Sequence, residues 1–286
     1  MRRTTNACLT RANSLGLEST AEELLEVSSV EELLESLEHS PSATILGEGS
    51  NVVLHRHVSG VVIRVRIRGI SVKRVDESVY RIRVGAGERW NELVRSLLGR
   101  GIRGLENLSL IPGSVGAAPY QNIGAYGREL GPMVESVEVV DRGEMASRTL
   151  PAAECEFRYR DSVFKTDDPS RYVITHLNVI TGDQAINSSY PDIDTELGRL
   201  GYDRSNPIHV ANAVIRVRRR KLPDPRFIGN VGSFFKNPLL SLRAFEQLRG
   251  KIDVQGFEEG KLVKVSAARL IDASGWKGFQ DGAVAV

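Results

Sequence analysis

Two short turns in this chain combine glycine with polar donors. Gly47-Glu48-Gly49-Ser50-Asn51 and Gly85-Ala86-Gly87 each follow an apolar or alternating run. Such turns present successive backbone N–H groups, and the first adds a hydroxyl and an amide, a donor set able to cradle a pyrophosphate. A dinucleotide fingerprint needs a third glycine three positions on, where Val52 and Trp90 stand, so the Rossmann signature fails. Most Gly-x-Gly turns only reverse the chain.

Further on, Arg158-Tyr159-Arg160-Asp161-Ser162 sits between Phe157 and Phe164. Arg160 suits a bidentate clamp on a carboxylate; an Arg160–Asp161 ion pair is the structural alternative of equal weight. Ser233 lies between Gly232 and the pair Phe234-Phe235, with no histidine near it. That context argues against an activated nucleophile and leaves room for a proton-donating hydroxyl tuned by Lys236 or Lys221. The five histidines, His39, His55, His57, His176 and His209, are scattered. His55 and His57 could share a strand face but lack a third ligand, which reads as surface histidines and no metal site.

These groups need elements to position them. Ser29 and Glu32 form a capping box ahead of Val30, Leu33, Leu34 and Leu37, a helix with one apolar face. Ala43–Leu46 reads as a short buried strand leading into the first glycine turn. Val61, Ile63, Val65 and Ile67 alternate with Val62, Arg64, Arg66 and Arg68, a strand with one wet or ligand-facing side. Tyr80, Ile82 and Val84 repeat that pattern, and Trp90, Leu93, Val94, Leu97 and Leu98 mark an amphipathic helix closed by Gly99 and Gly101. Residues 104–131 are rich in small residues and show neither period. A structureless loop of that length is uncommon unless it serves a site. Ser205-Asn206-Pro207 opens a helix through Val210, Ala211, Val214 and Ile215 that Pro223 and Pro225 stop, a plausible domain junction. Leu242, Phe245 and Leu248 suggest one further helix, and Ala267, Leu270 and Ile271 another. Gly282–Val286 reads as a strand cut off as it begins.

Composition bounds the class. The chain has 286 residues, long enough for two domains and for a large core without staples. Lys plus Arg number 38 and Asp plus Glu 36, a formal charge of +2 that leaves no footprint for nucleic acid or a membrane surface. Cys8 and Cys155 are too few and too far apart for a disulfide framework. No apolar run reaches membrane-spanning length, and a cytoplasmic protein is expected.

Seven segments in this order carry a specific resemblance. They are Leu46-Gly-Glu-Gly-Ser-Asn51, Gly104-Leu-Glu-Asn-Leu108, Ile111-Pro-Gly-Ser-Val-Gly116, Gln121-Asn-Ile-Gly-Ala-Tyr-Gly127, Tyr159-Arg-Asp-Ser-Val-Phe-Lys165, Lys221-Leu-Pro-Asp-Pro225 and Gly232-Ser-Phe-Phe-Lys-Asn-Pro238. With Asn13-Ser-Leu-Gly16 before them, they resemble the UDP-N-acetylenolpyruvoylglucosamine reductases (UDP-N-acetylmuramate dehydrogenases), flavoproteins of peptidoglycan precursor synthesis. Tyr190, in Ser-Ser-Tyr-Pro-Asp, lies where the longer-loop class of that family has a substrate-gating tyrosine.

The resemblance implies an α+β fold: a two-lobed FAD-binding domain of the PCMH, vanillyl-alcohol-oxidase type over residues 13–220, with lobes at about 13–68 and 69–220. A smaller α+β substrate domain follows over residues 221–286, incomplete at its C-terminal end. It implies non-covalent FAD, NADPH as hydride donor, and reduction of UDP-N-acetylglucosamine enolpyruvate. Carried over by motif, Arg160 and Ser233 are catalytic, Ser233 as proton donor. Gly47, Glu48, Gly49, Ser50, Asn51, Ile111, Pro112, Gly113, Ser114, Gln121, Asn122, Gly124, Ala125, Tyr126 and Arg218 hold the flavin. Tyr159, Tyr190, Lys221 and Asn237 bind substrate. The family's third catalytic residue, a C-terminal glutamate, has no counterpart before Val286. A flavin- and UDP-sugar-binding protein with impaired turnover is therefore the alternative, ahead of another oxidoreductase of the same fold.

Overall fold

In the computed structural model, which describes residues 1–165, 168–182 and 184–286, the first lobe is a four-stranded sheet. β1 (Arg2–Cys8) pairs antiparallel with β2 (Thr20–Val27), which buries Leu25 and Val27. The chain then turns into α1 (Val30–His39). Ser29 caps it by accepting from the Glu32 N–H at 3.2 Å, while the Glu32 carboxylate accepts from the Ser28 N–H at 2.7 Å. Leu33 and Leu37 on the inner face of α1 are fully buried. β3 (Thr44–Leu46) and β4 (His57–Val65) follow, β4 lying parallel to both β2 and β3 in the order β1-β2-β4-β3.

Val62 departs from the wet or ligand-facing side expected for β4. Val62 is 1% exposed and packs with Leu9, Ala12, Ala21 and Leu46 in a small second core under the N-terminal segment. Arg64 and, just beyond the strand, Arg66 turn onto Glu48, at 3.6 and 2.7 Å. The two arginines of that side thus face the glycine turn through ion pairs and not open solvent.

β5 (Ile70–Arg74) and β6 (Tyr80–Gly85) begin the second lobe, and α2 (Trp90–Gly99) covers its sheet. α2 buries Trp90, Leu93, Val94 and Leu97, and the Trp90 indole donates to the Leu108 carbonyl at 3.0 Å. Residues 104–131 hold only short elements, as their lack of period implies: single 3-10 turns, α3 (Ala117–Tyr120), and the two-residue strands β7 (Gly124–Ala125) and β8 (Arg128–Glu129). The sheet is completed by β9 (Val134–Asp141), β10 (Ala146–Pro151) and β11 (Tyr172–Thr181), in the antiparallel order β10-β9-β11-β6-β5. One continuous core joins the lobes, from Leu25 and Leu37 through Trp90 and Leu97 to Val139 and Leu177.

α4 (Pro191–Leu200) and α5 (Pro207–Lys221) pack on each other through Ile193, Leu197, Val210, Ala213, Val214 and Val217. Asn206 caps α5 by accepting from Ile208 N–H, and the helix ends before Pro223 as expected. The chain divides into two compact units, Met1–Val231 and Gly232–Val286. The second contains β12 (Leu239–Ser241), α6 (Leu242–Arg249), β13 (Gly256–Glu259), β14 (Leu262–Val265), α7 (Ala267–Ala273), β15 (Gln280–Asp281) and β16 (Val284–Ala285). Its three-stranded sheet has the order β12-β14-β13, and Phe245, Val254, Val263 and Val265 form its core. Within the apolar run at 282–286, Val284–Ala285 form the two-residue strand β16, paired antiparallel with β15. Among the described residues, no helix is long and apolar enough to cross a membrane.

Candidate active site

Tertiary folding brings the Gly47–Asn51 turn against the loop of Ile111, Pro112, Gly113 and Ser114. Ser50 Oγ donates to the Pro112 carbonyl at 3.4 Å, and Asn51 Nδ2 donates to Gln121 Oε1. The approach is close enough that a side chain would displace a serine hydroxyl. A Cβ on Gly47 would lie 2.5 Å from Ser114 Oγ, and one on Gly113, at φ +109°, would lie 2.5 Å from Ser50 Oγ. Gly49, at φ +66°, faces the Ala12 carbonyl, so the Asn13-Ser-Leu-Gly16 segment backs the turn. Asn13 is buried and knots that segment through bonds to the Leu9 and Leu17 carbonyls. Among the described residues, the backbone N–H groups of Gly49, Ser50, Asn51, Gly113 and Ser114 donate to nothing in the protein. Gly49 and Ser114 are themselves buried. Buried N–H groups are rarely left unpaired in a folded protein, so unpaired ones where a glycine turn meets a glycine loop suit an anion. The residues therefore fit the diphosphate of FAD. Glu48 fits through its backbone alone, because Arg64, Arg66 and Arg89 surround its carboxylate.

Arg160 sits at φ +56°, a left-handed conformation uncommon for a side chain of this size. Leu110, Asn122 and Tyr126 share that region of backbone space. Strained backbone tends to persist at sites where the surrounding structure demands it. The Arg160 guanidinium donates to the Asn122 and Gly124 carbonyls and lies 3.9 Å from Glu129 Oε1. Its ion pair is thus with Glu129 and not with the adjacent Asp161. Tyr159 lies half-buried beneath the guanidinium, with 5.2 Å from Arg160 Cζ to the ring centroid. The Asn122 side chain is fully committed, donating to Glu129 and to the Arg158 carbonyl and accepting from Gly131 N–H. It shapes the loop, and its backbone is engaged as well, the N–H donating to the Pro119 carbonyl at 3.1 Å and the carbonyl accepting from Arg160.

A second cluster joins residues from three places in the chain. Tyr126 and Tyr190 pack edge-to-face, with ring centroids 5.4 Å apart. Arg218 on α5 lies beside the Tyr126 hydroxyl, and its buried Nε has no partner. Burial pulls the Arg218 guanidinium below its ordinary value and pushes the Tyr126 phenol up, against the pull of Arg218. One turn further along α5, Lys221 Nζ meets Asp192 Oδ2 at 2.7 Å. Asn107 fastens this region: its Nδ2 donates to the Tyr126 and Asn187 carbonyls, at 3.0 and 2.8 Å. Gly124 and Ala125, in β7, connect the cluster to the Arg160 carbonyl acceptors.

Ser233 and Asn237 belong to the second unit. Ser233 is exposed on the segment before β12. Asn237 Oδ1 accepts from the Ala267 N–H at 3.0 Å, holding the start of α7 and leaving its amide N–H groups to reach a ligand. Sequence reasoning passed over Asn13, Asn107, Glu129, Asn187 and Asp192. All five lie inside or beside quoted motifs, Asp192 as the last residue of Ser-Ser-Tyr-Pro-Asp, but nothing local announces a partner tens of residues away. His176, taken with the surface histidines, is buried on β11 instead, with Nδ1 3.3 Å from Glu138 Oε2.

Residues 23–147 match a family described as an FAD binding domain, and residues 224–286 match the C-terminal domain of UDP-N-acetylenolpyruvoylglucosamine reductase. A curated relative of that name from Xanthomonas euvesicatoria pv. vesicatoria is 42% identical over 286 residues, covering 96% of this chain and 81% of the relative. Another from Flavobacterium johnsoniae is 38% identical, covering 97% and 84%. The crystal structure of UDP-N-acetylenolpyruvylglucosamine reductase from Thermus caldophilus superposes with a TM-score of 0.67 at 26% identity, covering 98% of this chain and 82% of that one. The glycine-lined cradle, the two-lobed α+β architecture and these relatives agree: the chain belongs to the UDP-N-acetylenolpyruvoylglucosamine reductase family.

Proposed function

We propose that this chain reduces UDP-N-acetylglucosamine enolpyruvate to UDP-N-acetylmuramate, a step of peptidoglycan precursor synthesis, using FAD and NADPH. The observation that carries the reading is the apposition of the Gly47–Asn51 turn and the Ile111–Ser114 loop, with five uncommitted backbone N–H groups. These residues hold the diphosphate of FAD, and Gln121, Asn122, Gly124, Ala125, Tyr126 and Arg218 line the rest of its site. FAD held there would supply the hydride transfer that links NADPH oxidation to reduction of the enolpyruvyl group. Residues 13–220 form the flavin domain and residues 221–286 the substrate domain. The protein works in the cytoplasm.

The remaining chemistry belongs to side chains of the protein. Hydride addition leaves an electron pair on the carbon beside the substrate carboxylate, delocalised into that carboxylate. Arg160, positioned by the Asn122 and Gly124 carbonyls, keeps guanidinium N–H groups for this developing charge, in a position set before the reaction begins. Tyr159 supports it from below. Ser233 Oγ gives its proton to the charged carbon and regains one from solvent. Lys221 and Asn237 meet the substrate diphosphate, and Tyr190 closes over it. Anaerobic NADPH oxidation, followed with and without the enolpyruvyl substrate, tests the proposal. Oxidation that the substrate stimulates in stoichiometric amount supports it. A chain that binds FAD yet passes no electrons to the substrate would make the binding-protein reading the better one.

A further inference from the structure

Asp192 has no role in the reaction just described, yet its carboxylate sits on Lys221, the cation read above as meeting the substrate diphosphate. Its carboxylate contacts Lys221 Nζ at 2.7 Å, and both side chains are about half exposed, at 40% and 56%. It lies two residues beyond Tyr190, in the first turn of α4. Arg218 is one turn before Lys221 on α5, so the two cations share a helix face. Asp192 also falls within the field of Tyr126, the ring packed on Tyr190. One carboxylate, two cations and two phenols thus form a single cluster.

We propose that Asp192 is a placeholder for the substrate diphosphate: it neutralises Lys221 in the empty protein and is displaced when a nucleoside diphosphate arrives. This rests on the reading that Lys221 binds that diphosphate. An exposed Lys–Asp pair contributes only about 0–1 kcal/mol, so the exchange is easy. A diphosphate carries more charge than one carboxylate, and Arg218 one turn away adds to the positive field at Lys221, so it wins where a singly charged anion gains little. Asp192 therefore acts as a specificity-determining residue, lowering affinity for weakly charged ligands. The simpler role, fastening α4 to α5, predicts a different response to mutation.

The test is calorimetric titration of UDP into the FAD-loaded protein for the parent, Asp192→Asn, Lys221→Met and the double variant, each with a thermal melt. Loss of the placeholder should tighten UDP binding about three- to tenfold, the sum of the released ion pair and the removed repulsion. Lys221→Met should weaken binding, and in the double variant Asp192→Asn should add nothing. Asp192→Ser, which keeps a residue suited to the first turn of a helix, repeats the measurement if the amide variant is unstable. Unchanged or weaker UDP binding in both Asp192 variants, alongside weakened binding in Lys221→Met, overturns the placeholder while the role of Lys221 stands. Unchanged binding in Lys221→Met removes that role, and the placeholder with it.

Discussion

Arg160→Lys separates a catalytic guanidinium from a structural one, and the geometry sets both magnitudes. The ion pair with Glu129 spans 3.9 Å between side chains that are 31% and 37% exposed. At that exposure it contributes at most about 1 kcal/mol. The contact with the Asn122 carbonyl, at 3.5 Å, is at the limit of a hydrogen bond, leaving the bond to Gly124 as the main loss. A lysine at the same left-handed φ is no more strained than the arginine. The cost in stability is therefore about 1 kcal/mol, or roughly 2–4 °C in the melting temperature for a protein of this size. The rate should suffer far more. An ammonium cannot reproduce the planar fork, and removing one preorganised charge-stabilising donor typically costs about 100- to 1000-fold. Stopped-flow measurement of substrate-dependent flavin reoxidation, beside a melt of the same preparation, reads both quantities. A rate within about threefold of the parent refutes the catalytic assignment. So does a collapse of the melt large enough to account for the lost activity through unfolding.

Ser233→Ala should leave NADPH-driven flavin reduction nearly unchanged and slow single-turnover reoxidation by substrate about 100- to 10,000-fold, since only the second step protonates a carbon; equal reoxidation rates would assign Ser233 a structural role. The segments 47–51 and 111–127 contain no histidine or cysteine, so acid precipitation should release all the flavin into the supernatant, and yellow protein pellets would contradict this. Glu196 is buried between Arg199 and Arg220, at 2.8 and 2.6 Å, and the Arg199 hydrogen bond foremost holds its carboxyl down to about 2. A carboxyl whose folded value is depressed contributes stability that is present above its ordinary value near 4.5 and fades as pH falls through about 2. Because both arginines stay solvated when the charge is removed, Glu196→Gln should cost only about 1–2 kcal/mol at neutral pH, and a urea titration at pH 7 and pH 3 should show that difference shrinking.

Much of the scaffold was legible because its signals are local. The capping box at Ser29, the apolar stripe from Trp90 to Leu97 and the Asn206 cap with its downstream prolines each specify an element through contacts a few residues apart. β1 and β2 were not read as strands. β1 is exposed along nearly all its length and exists because β2 pairs with it, so its own residues carry no alternation to detect. β9 and β11 are buried along most of their lengths, and buried strands lose the period that marks half-buried ones.

The site divides along the same line. By itself the sequence determined which residue types were present and in what order: a glycine turn with donors, an aperiodic small-residue loop, an arginine among aromatics, a lysine at a helix end. Those motifs were enough to place the chain in its family. Only the tertiary structure decided which groups meet. Ser50 reaches Pro112 across 62 residues, Arg160 reaches Gly124 across 36, and Lys221 finds Asp192 across 29. Glu48 belongs to the flavin-holding turn by motif, but three arginines close on its carboxylate, and Arg160 is as suited to Asp161 as to a carboxylate in sequence until the backbone at Gly124 claims it. Local order follows from propensity and period, which neighbouring residues already contain. The choice of partner follows from how sheets and loops pack, and every long-range contact in the chain takes part in that choice.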